Sequence, residues 1–249
     1  MKKILLIILF IILASLFTLL CFAQDVSVGE KEQNQTPDYK TVFSDDVVHE
    51  IHISITPDNW QKMRDDMTEK YGKSGNRSMG NHGPPGGFGD ITPDQMEQGE
   101  SGAHAPGGMW DMGSDEDNPV LVPATVTENG TVWDHVGIRF KGSSSLQRSW
   151  QSGSLKISLK LDFDKYKDEF PETKGQTYHG FEKLNLQSNA GDSSFLREKV
   201  VPDIFRKAGV VAPDTAFYRV YIDYGDGPVY FGLYTLIETV DDTLIKNAF

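Results

Sequence analysis

Two short runs of this 249-residue sequence carry groups suited to gripping an anion. Arg139-Phe140-Lys141-Gly142-Ser143-Ser144-Ser145 closes a strand-like stretch with a Gly/Ser-rich turn, whose amides and hydroxyls can cradle phosphate oxygens. Lys156 falls on the next strand-like stretch, where an ammonium neutralises phosphate charge. A helical stretch then offers Glu198 to orient that lysine, and the last hairpin ends in Glu238, where an acid and backbone groups could meet adenine. Each part has a plainer reading. Lys-Gly-Ser-Ser-Ser lacks the G-x-x-x-x-G-K-[ST] order of a P-loop. Lys156 and Lys160, on an outward face, also fit a solvated strand surface.

The elements that must position these residues are mostly strands. Ile51, Ile53 and Ile55 alternate with Glu50, His52 and Ser54, the period of a half-buried strand. His49 and His52 therefore point to opposite faces and make a poor metal pair. Thr56-Pro57-Asp58 opens a helix with Trp60, Met63 and Met67 at helical spacing. Val120–Thr127 and Thr131–Lys141 flank the hairpin signal Glu128-Asn129-Gly130. Leu155–Phe163 alternates as a strand that includes Lys156, and Phe181–Gln187 adds another. A helix over Ser193–Ala208, capped by Asp192 or Ser193 and stopped by Gly209, presents Leu196, Val200, Ile204 and Ala208 as one stripe. Pro202 predicts a kink or two segments there. Thr215–Tyr224 and Val229–Ile237 pair across Gly225-Asp226-Gly227, and Asp241–Phe249 reads as a helix with acidic caps.

Composition bounds the function. With 24 Lys and Arg against 36 Asp and Glu, the net charge is -12, which excludes a general nucleic-acid binder. A single cysteine excludes a disulfide scaffold and a Cys-rich zinc module. Lys2 and Lys3 precede an apolar run over Ile4–Leu20 and a small-x-small site at Cys21-Phe22-Ala23, the order of a secretory signal over residues 1–23. An uncleaved anchor is the alternative and would be the chain's only route to a membrane. Cleavage removes the cysteine and two lysines, leaving 22 cations against 36 acids and a charge of -14. A cysteine-free acidic chain suits an extracellular or envelope location in a bacterium. Residues 24–41 read as a flexible linker. Residues 71–118 read as a Gly/Pro/Met-rich disordered insertion, carrying Gly83–Gly89 and Gly107–Gly113. Its acids Asp111, Asp115, Glu116 and Asp117 lack EF-hand order and read as a solvated run, with calcium binding as the alternative.

Taken together, Arg139–Ser145, the strand Lys156–Leu161, Asn189–Arg197 and Gly232–Glu238 resemble the CotH family of secreted, atypical protein kinases, first known as spore coat proteins. The resemblance covers 42–249 apart from the insertion. It implies an α+β fold, a mostly antiparallel sheet with a kinked helix packed on it, like the N-lobe of an atypical protein-kinase-like fold whose C-lobe lies beyond this chain. It further implies transfer of the ATP γ-phosphoryl group to protein Ser or Thr with Mg2+ as cofactor. Arg139, Lys141, Gly142, Ser143, Ser144, Ser145, Lys156, Asp192, Arg197 and Glu238 match the family's nucleotide-facing blocks. The metal-holding acids would lie past Phe249, so the portion is expected to be catalytically incomplete. An apolar flank along Phe231, Leu233, Leu236 and Leu244 is then expected to be exposed. The partners implied are a Ser/Thr protein substrate and cell-envelope proteins. The alternative function is a non-catalytic envelope or coat module.

Overall fold

A computed structural model describes residues 36–76 and 118–249. The expected signal, the two Gly-rich runs and the acids from Asp111 to Asp117 lie outside the described residues.

A short helix, α1 (Tyr39–Val42), is capped by the Asp38 carboxylate, which accepts from the Thr41 amide. It leads into β1 (His49–Ser54), where Ile51 and Ile53 are buried. Thr56 then caps α2 (Pro57–Tyr71) by accepting from Asn59, with Pro57 in the first turn, where no amide hydrogen is needed. This helix buries Trp60, Met63 and Met67. A hairpin follows, β2 (Val122–Glu128) and β3 (Thr131–Lys141), turning through Asn129 and Gly130 in left-handed conformation. After it come α3 (Ser144–Gln151), β4 (Ser158–Asp162), β5 (Lys183–Gln187) and α4 (Arg197–Lys207). The second hairpin, β6 (Thr215–Asp223) and β7 (Pro228–Glu238), precedes α5 (Asp242–Ala248).

The seven strands close into a barrel in the order β1-β2-β3-β4-β5-β7-β6. Every neighbouring pair is antiparallel except β1 with β6, joined from His49–Tyr218 to Ser54–Asp223. An odd number of strands that otherwise alternate in direction must contain such a parallel seam. One row of buried side chains inside the barrel is Phe140, Leu159, Leu186, Leu236 and Ala216, neighbours across five successive strands.

This closed barrel overturns the expected α+β fold, a mostly antiparallel sheet with a kinked helix packed on it like a kinase N-lobe. The β1–β6 seam joins the sheet's two edges, a pairing between residues about 170 apart that no local pattern announces. Nor does α4 bury its stripe. Leu196, Val200, Val201, Ile204 and Phe205 are all exposed, and the helix runs unbroken through Pro202. Gly209 does stop it, in left-handed conformation. The expected apolar flank also fails to form, since Leu236 and Leu244 are buried and Phe231 and Leu233 half-buried. Among the described residues α4 instead presents a run of exposed apolar side chains. Asp241 does cap the last helix, accepting from the Thr243 amide.

Candidate functional site

Barrel register decides which nominated residues meet. Lys141 pairs with Ser158, and Gln187 with Thr235, so the ends of β3 and β5, the start of β4 and the middle of β7 share one barrel end. The run Gly142–Ser145 belongs to that end. It is a turn into a helix, not a turn between strands: Gly142 takes a left-handed φ of 120°, and Ser143 precedes α3. The Ser143 hydroxyl makes no capping bond, while its carbonyl accepts from Gln147.

Lys156 sits just before β4, not within the strand the alternation predicted. Its arm crosses Gly232, where a Cβ would stand 2.9 Å from the lysine Cε. The amine lies 4.4 Å from the centre of the Phe195 ring and 5.6 Å from that of Tyr234. Tyr234 is fixed in turn by its hydroxyl, which donates to the Ile157 carbonyl. No carboxylate among the described residues pairs with Lys156, and burial pushes its pKa down.

The loop bearing Phe195 is tied down at both ends. The Ser188 amide donates to the Ser158 hydroxyl at 3.0 Å, and Thr235 donates to the Asn189 side chain at 3.2 Å. Asp192 accepts from the Ser194 hydroxyl, the Ser194 amide and the Arg197 amide at 2.6–3.0 Å. The Ser194 hydroxyl bond, followed by the Arg197 amide, holds the Asp192 carboxyl at about 2. Asp192 therefore shapes the loop and accepts from the first amide of α4, which begins at Arg197 with Leu196 in the cap position and not at Ser193 as expected. Arg197 is exposed, with its Nε 3.7 Å from Asp192. Glu198 is half-buried; burial raises its pKa and the charge of Lys141 opposes the rise.

Two nominated residues sit apart. Arg139 is buried two residues back along β3, opposite Lys160, with an Nη1 donating to the Phe140 carbonyl. Glu238 lies six residues beyond Gly232 on β7, about 20 Å at strand rise. Only 1% of it is exposed, and it accepts from the Tyr39 hydroxyl at 2.5 Å and the Asp214 amide at 3.1 Å. Burial raises its pKa. It joins the N-terminal segment to the barrel and does not share the end that holds Lys156.

Residues 138–249 match the family model described as CotH kinase protein. That stretch is CotH-family sequence. No curated protein matches the chain. The CotH segment begins inside β3 and contains the whole of the Lys156 end, whereas β1 and β2, which complete the barrel, precede it.

Residue chemistry separates the two cofactors the family suggests. An ammonium without a carboxylate partner among the described residues, at the barrel end that also carries the Gly142–Ser145 turn, fits the phosphates of a nucleotide. A protein-held Mg2+ does not fit the described residues: none of their His, Cys, Asp or Glu side chains gather in a group of three suited to a metal, and the Asp192 oxygens are taken up by its own loop. Phe195, Gly232 and Tyr234 escaped the sequence reading as neighbours of Lys156. A glycine inside a strand was the available signal, since it marks close approach of another group.

Proposed function

We propose that the Lys156 end of the barrel binds the phosphates of ATP, as the nucleotide-facing portion of an exported CotH-like kinase acting on protein Ser or Thr. The observation that carries this is Lys156 itself, a desolvated ammonium close to the Phe195 and Tyr234 rings and without a carboxylate partner among the described residues. An unpaired, partly buried cation is costly unless a ligand supplies the missing charge. Lys156 neutralises phosphate charge, while the Gly142–Ser145 turn offers amides and hydroxyls to phosphate oxygens. Among the described residues no group of three acids or histidines is suited to hold a metal.

A ligand at a hundred times its dissociation constant stabilises the folded state by about 2.7 kcal/mol. A saturating non-hydrolysable ATP analogue should thus raise the melting temperature by roughly 5–10 °C for a chain of this size. Lys156→Met keeps the arm over Gly232 and should abolish the shift. Equal melting of both proteins with and without the analogue would sink the proposal.

The exposed face of α4 favours a second reading, a coat or envelope interaction module. Large contiguous apolar patches mark interaction sites. On that reading Ile204→Glu abolishes association with an envelope partner and leaves nucleotide-dependent melting unchanged.

A further inference from the structure

Phe195 is an unusual residue to find where it is. Its φ of 59° lies in the left-handed region, uncommon for a bulky side chain and more natural to glycine or asparagine. Three bonds to Asp192 and the Thr235–Asn189 bond hold the loop in this shape, with Asn189 and Gly191 also left-handed. The outcome is a ring set over the amine of Lys156. From below, Gly232 opens the slot in which the lysine arm lies, and a side chain there would strike its Cε.

The geometry points to Phe195 as a positioning residue for Lys156: the strained Asn189–Leu196 loop presses its ring onto the ammonium and holds it at the barrel end in the place where an anionic phosphate chain is received. The inference rests on the nucleotide reading above and adds to it the residue that sets the affinity of that site. A free lysine side chain samples many rotamers and loses that freedom on binding. A lysine already held between a ring and a glycine backbone has lost most of it beforehand, and pre-organisation of this kind appears as affinity. The ring face also leaves the ammonium charged and one side of it open, because attraction to a π face consumes no carboxylate.

The test uses the full chain with Phe195→Leu, which keeps apolar bulk, and Phe195→Tyr, which restores the ring. Inorganic triphosphate is the probe for affinity. Phe195→Leu should weaken its binding about three- to tenfold, the range of one cation–π contact, while Phe195→Tyr binds as the unmodified chain does. In isotope-labelled protein the Lys156 ε-protons should resonate upfield of the other lysines through the ring current of Phe195. That displacement should be largely lost in Phe195→Leu and kept in Phe195→Tyr. A merely structural role would not move this signal. Unchanged triphosphate affinity in Phe195→Leu, or a Lys156 signal indifferent to the substitution, overturns the inference and leaves the nucleotide reading standing. Failure of the unmodified chain to bind either triphosphate or the ATP analogue overturns the reading beneath it.

Discussion

Glu128→Gln should lower the unfolding free energy at pH 7 by about 3 kcal/mol, or roughly 6–12 °C in melting temperature. Glu128 ends β2 and is only 4% exposed. Its Oε2 accepts from the Tyr178 hydroxyl at 2.5 Å and lies 3.4 Å from His179 Nε2, while Oε1 stands 3.7 Å from His49 Nδ1. The network continues from Tyr178 to Tyr218, whose hydroxyl donates to the Val42 carbonyl. Burial works to raise the pKa of Glu128. The close approach of His179 and His49 and the Tyr178 hydrogen bond together outweigh it and hold the carboxyl at about 2. Glutamine keeps an acceptor for Tyr178 and removes the charge to which the two histidines are directed.

The pH dependence gives the sharper measurement. A carboxyl held below its ordinary value of 4.5 favours the folded state above that value, and the contribution is lost as pH falls from about 4.5 to about 2. Glu238, Glu198 and Asp214 act in the opposite sense, because burial raises their pKa values and protonation relieves the folded state. The whole-chain acid profile is therefore composite, and the difference between the unmodified chain and Glu128→Gln isolates Glu128. Urea unfolding at a series of pH values should show that difference shrinking through this window. A difference that stays constant down to pH 2 would show that the charge of Glu128 contributes nothing.

What could be read from the sequence was local, and what escaped was long-range. The alternation around Ile51 and Ile53, the Asn129-Gly130 and Gly225-Asp226-Gly227 turns and the Gly209 stop all describe the chain against itself, and the structure keeps them. The Leu196–Ala208 periodicity correctly marks a helix. Periodicity names an apolar face without naming what covers it, and among the described residues α4 leaves that face exposed. Ser143–Ser145 read as a turn between strands because a three-serine run resembles a loop. Leu146 and Trp150, buried at i and i+4, turn it into the start of a helix. Within the candidate site, Lys156 and the Gly142–Ser145 turn were visible as residue types. Phe195 and Tyr234 were not, since only the fold brings them to the amine. Glu128 looked like part of a hairpin turn, and its meaning depends on His49 and His179, 79 and 51 residues away in the sequence.

Gly180→Ala should detach the N-terminal segment from the barrel and cost about 3–5 kcal/mol. Gly180 has φ of 89°, and a Cβ there would stand 2.6 Å from Pro37 Cα, 2.7 Å from Pro37 N and 2.8 Å from Thr36 C. All three are backbone atoms, so no side chain can swing aside and the segment itself must move. Its moorings are the Asp38 amide donating to the His179 carbonyl at 2.9 Å, the Tyr39 hydroxyl on Glu238, and the Tyr218 hydroxyl on the Val42 carbonyl. Tyr39 and Phe43 also meet Phe181 edge-on at ring-centre distances of 5.0 and 5.4 Å. Each bond lost contributes about 1 kcal/mol, and the uncovered aromatic surface adds a comparable amount. Glu238 would in addition lose a donor while remaining largely desolvated. Gly130→Ala supplies the control. Its φ of 84° imposes the same left-handed strain, yet nothing lies within 4 Å of the added methyl, so it should cost only about 1–2 kcal/mol. Hydrogen exchange should show the amides of Asp38, Val42 and Phe43 losing protection in Gly180→Ala and keeping it in Gly130→Ala. Equal destabilisation by the two substitutions, with those amides still protected, would mean that the segment is not held against Gly180 as the packing requires.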